Sequence, residues 1–210
     1  MTMDDAERAL KIDSILAARY PASTALEFTS PWSLLVSAIL AAQCTDERVN
    51  KVVGGLFSIF PNPKSFAEGN LEEIEEAIHS TGFYRQKAKT LKALNAALLE
   101  NFGGEIPKTA EELTTLPGVG RKTANLVLGN AMGIPAIFVD THVGRISARM
   151  GFTKEKDPDK IERDLMKILP RKRWTDFSNL LTHLGRDACA AKKAKCGECP
   201  VAELCPKVGL

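Results

Sequence analysis

The sequence lacks any run of about 18 consecutive apolar residues, the length that a membrane-spanning helix needs, so we expect no contact with a membrane. Its first eight residues carry three acids and no apolar segment, so we expect no secretory signal or transit peptide, and a cytoplasmic protein. Internal repeats and low-complexity tracts are also missing. No segment shows the apolar–polar alternation of a half-buried strand, and the predicted fold class is therefore all-α.

The sequence also has little excess charge of either sign. Its 28 Lys and Arg residues against 26 Asp and Glu residues leave a formal net charge of +2 and a pI of about 8.2. This balance does not by itself indicate a nucleic-acid partner, so any positive binding surface must come from local clustering. With 210 residues, 44% of them hydrophobic, the chain can bury a stable core in one large domain or two small ones.

Capping signals and helical periodicity predict a series of helices. They cover about residues 4–20, 31–43, 45–60, 70–78, 85–101, 109–116, 121–131, 140–150, 157–168 and 173–188. The segment 31–43 is apolar nearly all round, and we expect it at the centre of a core. Ile15 is predicted to face inward from the first helix, and Pro61 and Pro63 are interpreted as breaks between helices.

The segment Leu116–Ala124, with the sequence L-P-G-V-G-R-K-T-A, predicts a tight turn between two helices. Thr109 and Glu112 form a T-x-x-E capping box for the first of them. The turn leaves amide N–H groups unpaired at the start of the second helix, and these groups and the helix dipole suit a phosphate. Because backbone amides carry no sequence information, nucleic acid bound there would be held independently of its bases. The predicted contacts are Gly118, Val119, Gly120 and Arg121.

Lys122 lies in the first turn of the second hairpin helix, where the helix dipole disfavours its positive charge. The position allows two interpretations, a phosphate clamp or a neutral amine that acts as a nucleophile. Eighteen residues later, Asp140 follows the apolar run Ile134–Val139 and is predicted to cap the next helix. An amine and a carboxylate that open two consecutive helices can also face one cleft.

Four of the five cysteines lie within 17 residues near the C-terminus, with spacings of x6, x2 and x5. Scattered reduced thiols would not cluster so tightly, and nothing in the sequence suggests the export that usually accompanies disulfides. Four thiolates suit either Zn²⁺ or a [4Fe–4S] cluster, and one compact run favours the cluster because zinc modules usually hold two separated pairs. The predicted ligands are Cys189, Cys196, Cys199 and Cys205.

The sequence allows two interpretations for each of two groups of basic residues. The first lies between the first two predicted ligands and consists of Lys192, Lys193 and Lys195. On a loop fixed by a metal these lysines would form a phosphate-binding edge, whereas a charge run is ordinarily a solvated surface. The same alternatives, phosphate contact or solvated helix face, apply to Arg85, Lys87 and Lys89.

The hairpin segment together with V-D-T-H-V at 139–143 resembles the helix-hairpin-helix DNA glycosylases. The lysine points to the endonuclease III branch, because adenine-specific relatives lack it. The resemblance runs from Pro31 to Cys205 and implies that Lys122 is a Schiff-base nucleophile and that Asp140 assists attack at the sugar. It implies a base-excision repair enzyme that removes oxidised or ring-damaged pyrimidines from damaged double-stranded DNA and then cleaves the abasic site. The x6-x2-x5 spacing matches the iron–sulfur loop of that branch and implies a [4Fe–4S] cluster.

The resemblance also implies two helical lobes with a cleft between them. A helical barrel lobe of residues 23–134 carries the hairpin, and an iron–sulfur lobe combines residues 1–22 and 135–210. Gln43 and Phe83 match residues that enter the duplex where a nucleotide has been extruded, although leucine is commoner at the second position. Phe83 could instead be an ordinary cap of the next helix. We expect a monomer that associates with the nucleoid when bound to DNA.

Two other functions stay open at this point. One is a relative of the same superfamily that acts on mismatched uracil or thymine. The other is a helix-hairpin-helix module that binds the DNA backbone without catalysis, and the combination of Lys122 with Asp140 argues against it.

Overall fold

The computed structural model describes residues 3–210, and its regular structure is helical. Residues 1 and 2, part of the predicted lobe 1–22 and of the segment expected to carry no signal, lie outside the described residues. The described part contains no β-strand, which confirms the all-α prediction, and none of its helices is long and apolar enough to cross a membrane. The α-helices are α1 (Asp5–Ala17), α2 (Pro31–Leu40), α3 (Asp46–Ile59), α4 (Pro63–Glu68), α5 (Leu71–Ala77), α6 (Tyr84–Phe102), α7 (Ala110–Leu113), α8 (Arg121–Met132), α9 (Thr141–Arg149), α10 (Pro158–Ile168) and α11 (Trp174–Asp187).

The described chain divides into two compact units. The middle unit contains residues 24–134 with α2 to α8, and the terminal unit contains residues 3–23 and 135–210 with α1 and α9 to α11. Short 3-10 turns at His79–Thr81, Arg171–Arg173 and Cys196–Glu198 complete the helical structure.

Capping side chains begin most of the helices that the sequence predicts. Ser30 accepts a hydrogen bond from the amide of Ser33 at 3.1 Å, and Pro31 occupies the first turn of α2. At α7, the predicted cap Thr109 accepts from the amide of Glu112 at 3.2 Å, and its hydroxyl donates to the Glu112 carboxylate at 2.7 Å. The other caps with such a bond at these helices are Asp4, Thr45, Asn70, Asp140 and Asp157.

The core of the middle unit is built around α2 and α6. Seven of the ten residues of α2 are buried, as its apolar sequence predicts. Leu91, Leu94 and Leu98 of α6 are fully buried at helical spacing, and Gly103 ends that helix in the left-handed region at φ +62°. Helix α8 packs against α2, and α7 packs against α8, so the predicted hairpin is held on this core.

The terminal unit has a hydrophobic core of its own. Residues from α1, α9, α10 and α11 form one buried cluster, and Cys189, Cys199 and Cys205 pack against it as partly buried side chains. The C-terminal cysteine loop is therefore continuous with the core of the unit that carries Asp140.

Several details of the predicted helices are wrong. Helices α1, α2 and α7 end three residues before their predicted ends, at Ala17, Leu40 and Leu113. Ile15 is 38% exposed because other α1 residues take the core positions. Helix α4 is also absent from the predicted helices, since Pro63 is interpreted there as a break. Pro63 in fact occupies the first turn of α4, after Asn62, which accepts from the amide of Ser65 at 3.0 Å.

Candidate functional site

The hairpin between α7 and α8 depends on two glycines for different reasons. Gly118 has φ +77°, and a Cβ atom there would lie 2.3 Å from Cγ2 of Thr90, so a side chain is excluded by both conformation and space. Gly120 has φ −92°, and a Cβ atom on it would meet no atom within 4 Å, so its backbone faces open space. As the N-cap of α8, Gly120 has no side chain to accept from the first-turn amides.

The other two predicted phosphate contacts of the hairpin lie in different environments. The side chain of Val119 is only 6% exposed, and its amide donates to the carbonyl of Leu116 at 3.1 Å within the turn. Arg121 is exposed and approaches Glu111 at 4.0 Å. Val119 therefore anchors the turn in the core, while Arg121 extends to the surface.

Lys122 is exposed in the first turn of α8, immediately after the turn residues. Its side chain therefore lies beside the positive end of the α8 dipole, as the sequence predicts. The neighbouring Thr123 is half-buried, so α8 turns from the surface into the core directly after Lys122.

Asp140 is the N-cap of α9, and its two carboxylate oxygens have different partners. Oδ1 accepts from the amides of His142 at 2.8 Å and Val143 at 2.7 Å. Oδ2 receives only a 3.4 Å contact from the hydroxyl of Thr182, which donates at 2.9 Å to the carbonyl of Ser178. A hydroxyl has one proton, so its shorter bond leaves Oδ2 with little hydrogen bonding from the terminal unit.

His142 is half-buried in the terminal unit, with its ring against Gly185 of α11. Burial lowers its pKa, against the opposing effect of the Asp140 carboxylate. Its Nδ1 lies 3.1 Å from Nη2 of Arg145, which can only donate, and a Cβ atom on Gly185 would lie 2.4 Å from that nitrogen. The ring therefore acts as a hydrogen-bond acceptor against a close-packed helix backbone.

Gln43 and Phe83, which lie in the middle unit, share an uncommon backbone conformation. Their φ angles are +53° and +47°, and Lys207 is the one other non-glycine residue with positive φ in the described chain. Gln43 is exposed in the loop after α2 (residues 41–45, the Gln43 loop). Phe83 is 66% exposed in the loop before α6 (residues 81–83, the Phe83 loop). It occupies the N-cap position of α6 without a capping side-chain bond.

Both loops open onto one pocket of the middle unit. The pocket has a volume of about 350 Å³ and is lined by Gln43, Phe83, Lys87, Gly118 and Thr123 among others. The structure thus brings together the two predicted duplex-entering residues and the hairpin glycine around a single depression.

Lys87 is neither a phosphate contact nor part of a solvated face, so both interpretations from the sequence are wrong for this residue. Its side chain is 6% exposed, and Nζ donates to the carbonyls of Leu40 at 2.8 Å and Thr81 at 2.9 Å. Burial lowers the pKa of the Lys87 amine. Arg85 and Lys89 are exposed, as expected.

The four predicted cysteine ligands line one pocket in the terminal unit, together with apolar residues such as Ile146 and Leu184. None of the five cysteines forms a disulfide. Burial raises the pKa of the Cys199 and Cys205 thiols, and the other cysteines of the group add to the effect. In residues 3–210, no group of three or more His, Cys, Asp or Glu side chains surrounds a position for a single metal ion.

Two arginines of α9 hold the first part of the cysteine loop. Arg149 donates to the sulfur of Cys189 at 3.2 Å and to the carbonyls of Ala190 at 2.8 Å and Ala191 at 2.9 Å. Arg145 donates through Nη2 to the carbonyl of Cys189 at 2.8 Å. Lys192, Lys193 and Lys195 are exposed on the segment that these bonds fix at its start.

The structural roles of Lys87, Arg145 and Arg149 are not predicted from the sequence. The two arginines are four residues apart, which places them on one face of α9, but their carbonyl acceptors lie some 40 residues later. Lys87 carries no local signal that separates a buried lysine from an exposed one, because its acceptors belong to two other segments.

Comparison with known proteins gives concordant matches. The family model described as "HhH-GPD superfamily base excision DNA repair protein" matches residues 36–171. Endonuclease III of Synechocystis sp. is 53% identical over 95% of this chain and 92% of its own length. Endonuclease III of Escherichia coli is 39% identical over 87% of each chain.

The fold of a solved relative agrees with these sequence matches. The structure of a trapped endonuclease III–DNA covalent intermediate has a TM-score of 0.91 and 40% identity, and the match covers 98% of this chain and 97% of that one. The family model covers more than half of the chain, and the relatives cover most of it. The chain therefore belongs to the endonuclease III proteins of the HhH-GPD superfamily of base excision DNA repair proteins.

Proposed function

We propose that this protein is a base-excision repair DNA glycosylase with lyase activity at abasic sites, acting on oxidised or ring-damaged pyrimidines in duplex DNA. The observation that carries the proposal is Lys122, an exposed amine in the first turn of α8 directly after the hairpin turn. A catalytically silent backbone-binding module would need the hairpin amides but no amine at this position. The mismatch-glycosylase alternative is not favoured, because the relatives with 39% and 53% identity over most of the chain are endonuclease III proteins.

In the proposed mechanism, the neutral amine of Lys122 attacks C1′ of the sugar and the damaged base leaves. The amine loses a proton, the bond between C1′ and O4′ breaks as O4′ takes up a proton, and the product is a protonated imine, a Schiff base. Removal of a proton from C2′ then expels the 3′ phosphate, which nicks the strand. We assign to Asp140 the stabilisation of positive charge that develops on the sugar, or the acceptance of the proton that the amine loses.

The carboxylate of Asp140 can combine this role with its capping role. Oδ1 accepts hydrogen bonds from two amides of α9, whereas Oδ2 has only a 3.4 Å contact with the hydroxyl of Thr182. The cap fixes the orientation of the carboxylate, and the second oxygen is left for the reaction.

We propose that DNA is held by two phosphate-binding regions. The first is the hairpin turn with its open backbone and Arg121, and Val119 contributes there by anchoring the turn in the core. The second is the exposed lysine segment of the cysteine loop. The proposed binding residues are Gly118, Val119, Gly120, Arg121, Lys192, Lys193 and Lys195. Because the exposed ones among them would reach phosphates, their contribution should be independent of sequence and sensitive to salt.

We propose further that Gln43 and Phe83 fill the space that an extruded nucleotide leaves in the duplex. Both are exposed and line the same pocket of the middle unit as the hairpin. Extrusion costs a few kcal/mol of lost stacking and pairing, and inserted side chains offset part of that loss.

The cysteine loop is proposed to hold a [4Fe–4S] cluster through Cys189, Cys196, Cys199 and Cys205. Four sulfur donors in one largely apolar pocket fit the donor set of such a cluster, and an arginine bonded to the Cys189 sulfur suits a thiolate. When bound, the cluster would link the four cysteines covalently through iron and so fix the loop. The reaction needs no electron, so the role of the cluster would be to fix the loop. Arg149 and Arg145 also support the lysine segment through their hydrogen bonds to the start of the loop.

The lobe boundaries, oligomeric state and location are further proposals. The compact units, 24–134 and 3–23 with 135–210, support lobes of 23–134 and of 1–22 with 135–210. We propose that the enzyme acts as a monomer, and, because its substrate is DNA, that it works in the cytoplasm at the nucleoid.

Borohydride trapping tests the chemistry. The wild-type protein incubated with an oligonucleotide that carries an oxidised pyrimidine should form a covalent adduct, because borohydride reduces the transient imine. Lys122→Ala should lose the adduct but keep its fold and its affinity for DNA, since the hairpin backbone is unchanged. Lys108→Ala, at another exposed lysine of the middle unit, is the matched control and should keep the adduct. A full-strength adduct in Lys122→Ala would place the nucleophile on another amine.

A further inference from the structure

Gln43 and Phe83 both hold left-handed backbone conformations that non-glycine residues rarely adopt. Each such residue costs of order 1 kcal/mol and persists only where the surrounding structure over-determines it. Phe83 makes no capping side-chain bond, and both side chains are exposed. Something else in the middle unit must therefore hold the two loops in place.

Lys87 connects the Phe83 loop to the residue that directly precedes the Gln43 loop. Its Nζ donates at 2.8 Å to the carbonyl of Leu40, the last residue of α2 before the Gln43 loop. The same atom donates at 2.9 Å to the carbonyl of Thr81 in the Phe83 loop, and the Lys87 amide donates at 3.0 Å to the carbonyl of Phe83. One residue thus joins segments that are about 40 positions apart in the sequence.

A buried ammonium is an expensive way to hold two loops, because the charged group must leave water. An apolar side chain of similar length would fill the same space without that loss, so packing alone does not account for a lysine here. What an apolar side chain cannot do is donate to two carbonyls at once and so fix the distance between them.

We propose that Lys87 is a positioning residue that holds the Gln43 loop and the Phe83 loop at a fixed separation, ready to enter duplex DNA together. This inference rests on the proposed function, because it takes Gln43 and Phe83 to fill the vacated space in the duplex. Pre-organised loops enter the duplex without first losing conformational freedom, so Lys87 contributes to recognition of damaged duplex without touching DNA.

The test compares Lys87→Met with the wild-type protein. Affinity is measured for a duplex with a tetrahydrofuran abasic analogue opposite 2-aminopurine and for the undamaged duplex, and 2-aminopurine fluorescence reports insertion at the site. Two carbonyls lose their donor in the variant, so we expect the preference for the abasic duplex to fall about tenfold and the fluorescence rise to shrink. Lys87→Arg, which keeps the charge and several donors, should restore most of both signals.

Lys92→Met is the matched control, since Lys92 lies on the same helix and its Nζ also donates to a loop carbonyl, that of Gly69. This variant should lose stability but keep the preference for the abasic duplex. If Lys87→Met does not fold, Lys87→Gln replaces it, because its shorter side chain cannot span the same distance. A preference equal to that of the wild-type protein, or losses in Lys87→Met that match those in Lys92→Met, would overturn the proposal.

Trapping with borohydride on a single-stranded abasic oligonucleotide separates this proposal from the proposed function. No nucleotide has to leave a duplex there, so the ratio of duplex to single-strand trapping should fall in Lys87→Met. A wild-type protein that forms no adduct on either DNA rejects the proposed function. A wild-type protein that forms both adducts, with an unchanged ratio in Lys87→Met, rejects only the positioning role.

Discussion

At the scale of single residues, the two oxygens of Asp140 allow its capping role and its proposed chemical role to be divided between them. Oδ1 caps α9 through two amide bonds of 2.7 and 2.8 Å, and Oδ2 is nearly without hydrogen bonds from the terminal unit. An asparagine can keep the first role, because its amide oxygen also accepts, but it lacks the negative charge that the second role needs.

Substitution of Asp140 should therefore separate stability from catalysis. Asp140→Asn should unfold at nearly the wild-type denaturant concentration, whereas Asp140→Ala should lose about 1 kcal/mol because the cap is gone. Base excision should fall strongly in both, since neither stabilises a developing sugar cation. Cleavage of a preformed abasic site should fall less, because no base has to leave. Equal losses of both activities in Asp140→Asn would make the aspartate a cap or a shared proton carrier.

The two hairpin glycines lead to a second prediction at this scale. Gly118→Ala puts a Cβ atom 2.3 Å from the Thr90 side chain at φ +77°, so it should lower the free energy of unfolding by about 2 kcal/mol. Gly120→Ala meets no atom within 4 Å and should change stability by less than about 0.5 kcal/mol. It should instead weaken binding to damaged and undamaged duplex alike, because its methyl group would stand where the turn is proposed to contact a phosphate. Denaturant unfolding measures the two stability effects, and binding titrations measure the loss of affinity in Gly120→Ala. A Gly118→Ala variant as stable as the wild-type protein would contradict the first prediction.

At the scale of elements, the Gln43 and Phe83 loops hold exposed side chains on strained backbone. Phe83→Ala removes a ring that is 66% exposed, so the free energy of unfolding should change little. Its affinity for a duplex with an abasic analogue should fall more than its affinity for undamaged duplex, because only the first offers a gap to fill. Titrations with both duplexes measure the difference, and Ile59→Ala, at another exposed apolar side chain of the middle unit, is the control. Equal weakening for both duplexes would reduce Phe83 to an ordinary contact.

What the sequence predicts about the elements depends on how local the determining contacts are. The caps at Ser30 and Asp140 are fixed by residues within three positions, and sequence patterns identify them. Pro63 shows the limit of such patterns, because the same residue can end one helix or start another. The burial of Lys87 is set by carbonyls six and 47 residues away, so no local pattern could separate it from the exposed Lys89.

At the scale of the whole molecule, the two units have separate stabilising interactions. The middle unit is held by α2, α6 and the helices packed on them. The terminal unit has one core to which three of the four proposed cluster ligands belong as partly buried side chains. Loss of a metal centre in the cysteine loop should therefore affect the terminal unit first, including the α9 helix that Asp140 caps.

The position of the cysteines in the core of the terminal unit gives a prediction for the cofactor. Purified protein should be brown, with about four irons per chain, as expected for a [4Fe–4S] centre with four cysteine ligands. In Cys199→Ser, or after removal of iron with a chelator under oxidising conditions, hydrogen exchange should accelerate in α9 and α11. Exchange in α2 and α6 should change little, because their core contains none of these cysteines.

Affinity for duplex should also fall, since the segment with Lys192, Lys193 and Lys195 loses its support, and the loss should shrink as salt is raised. Stoichiometric zinc without iron in anaerobically purified protein would reject the cluster, and equal acceleration of exchange in both units would reject the confinement of its effect to the terminal unit.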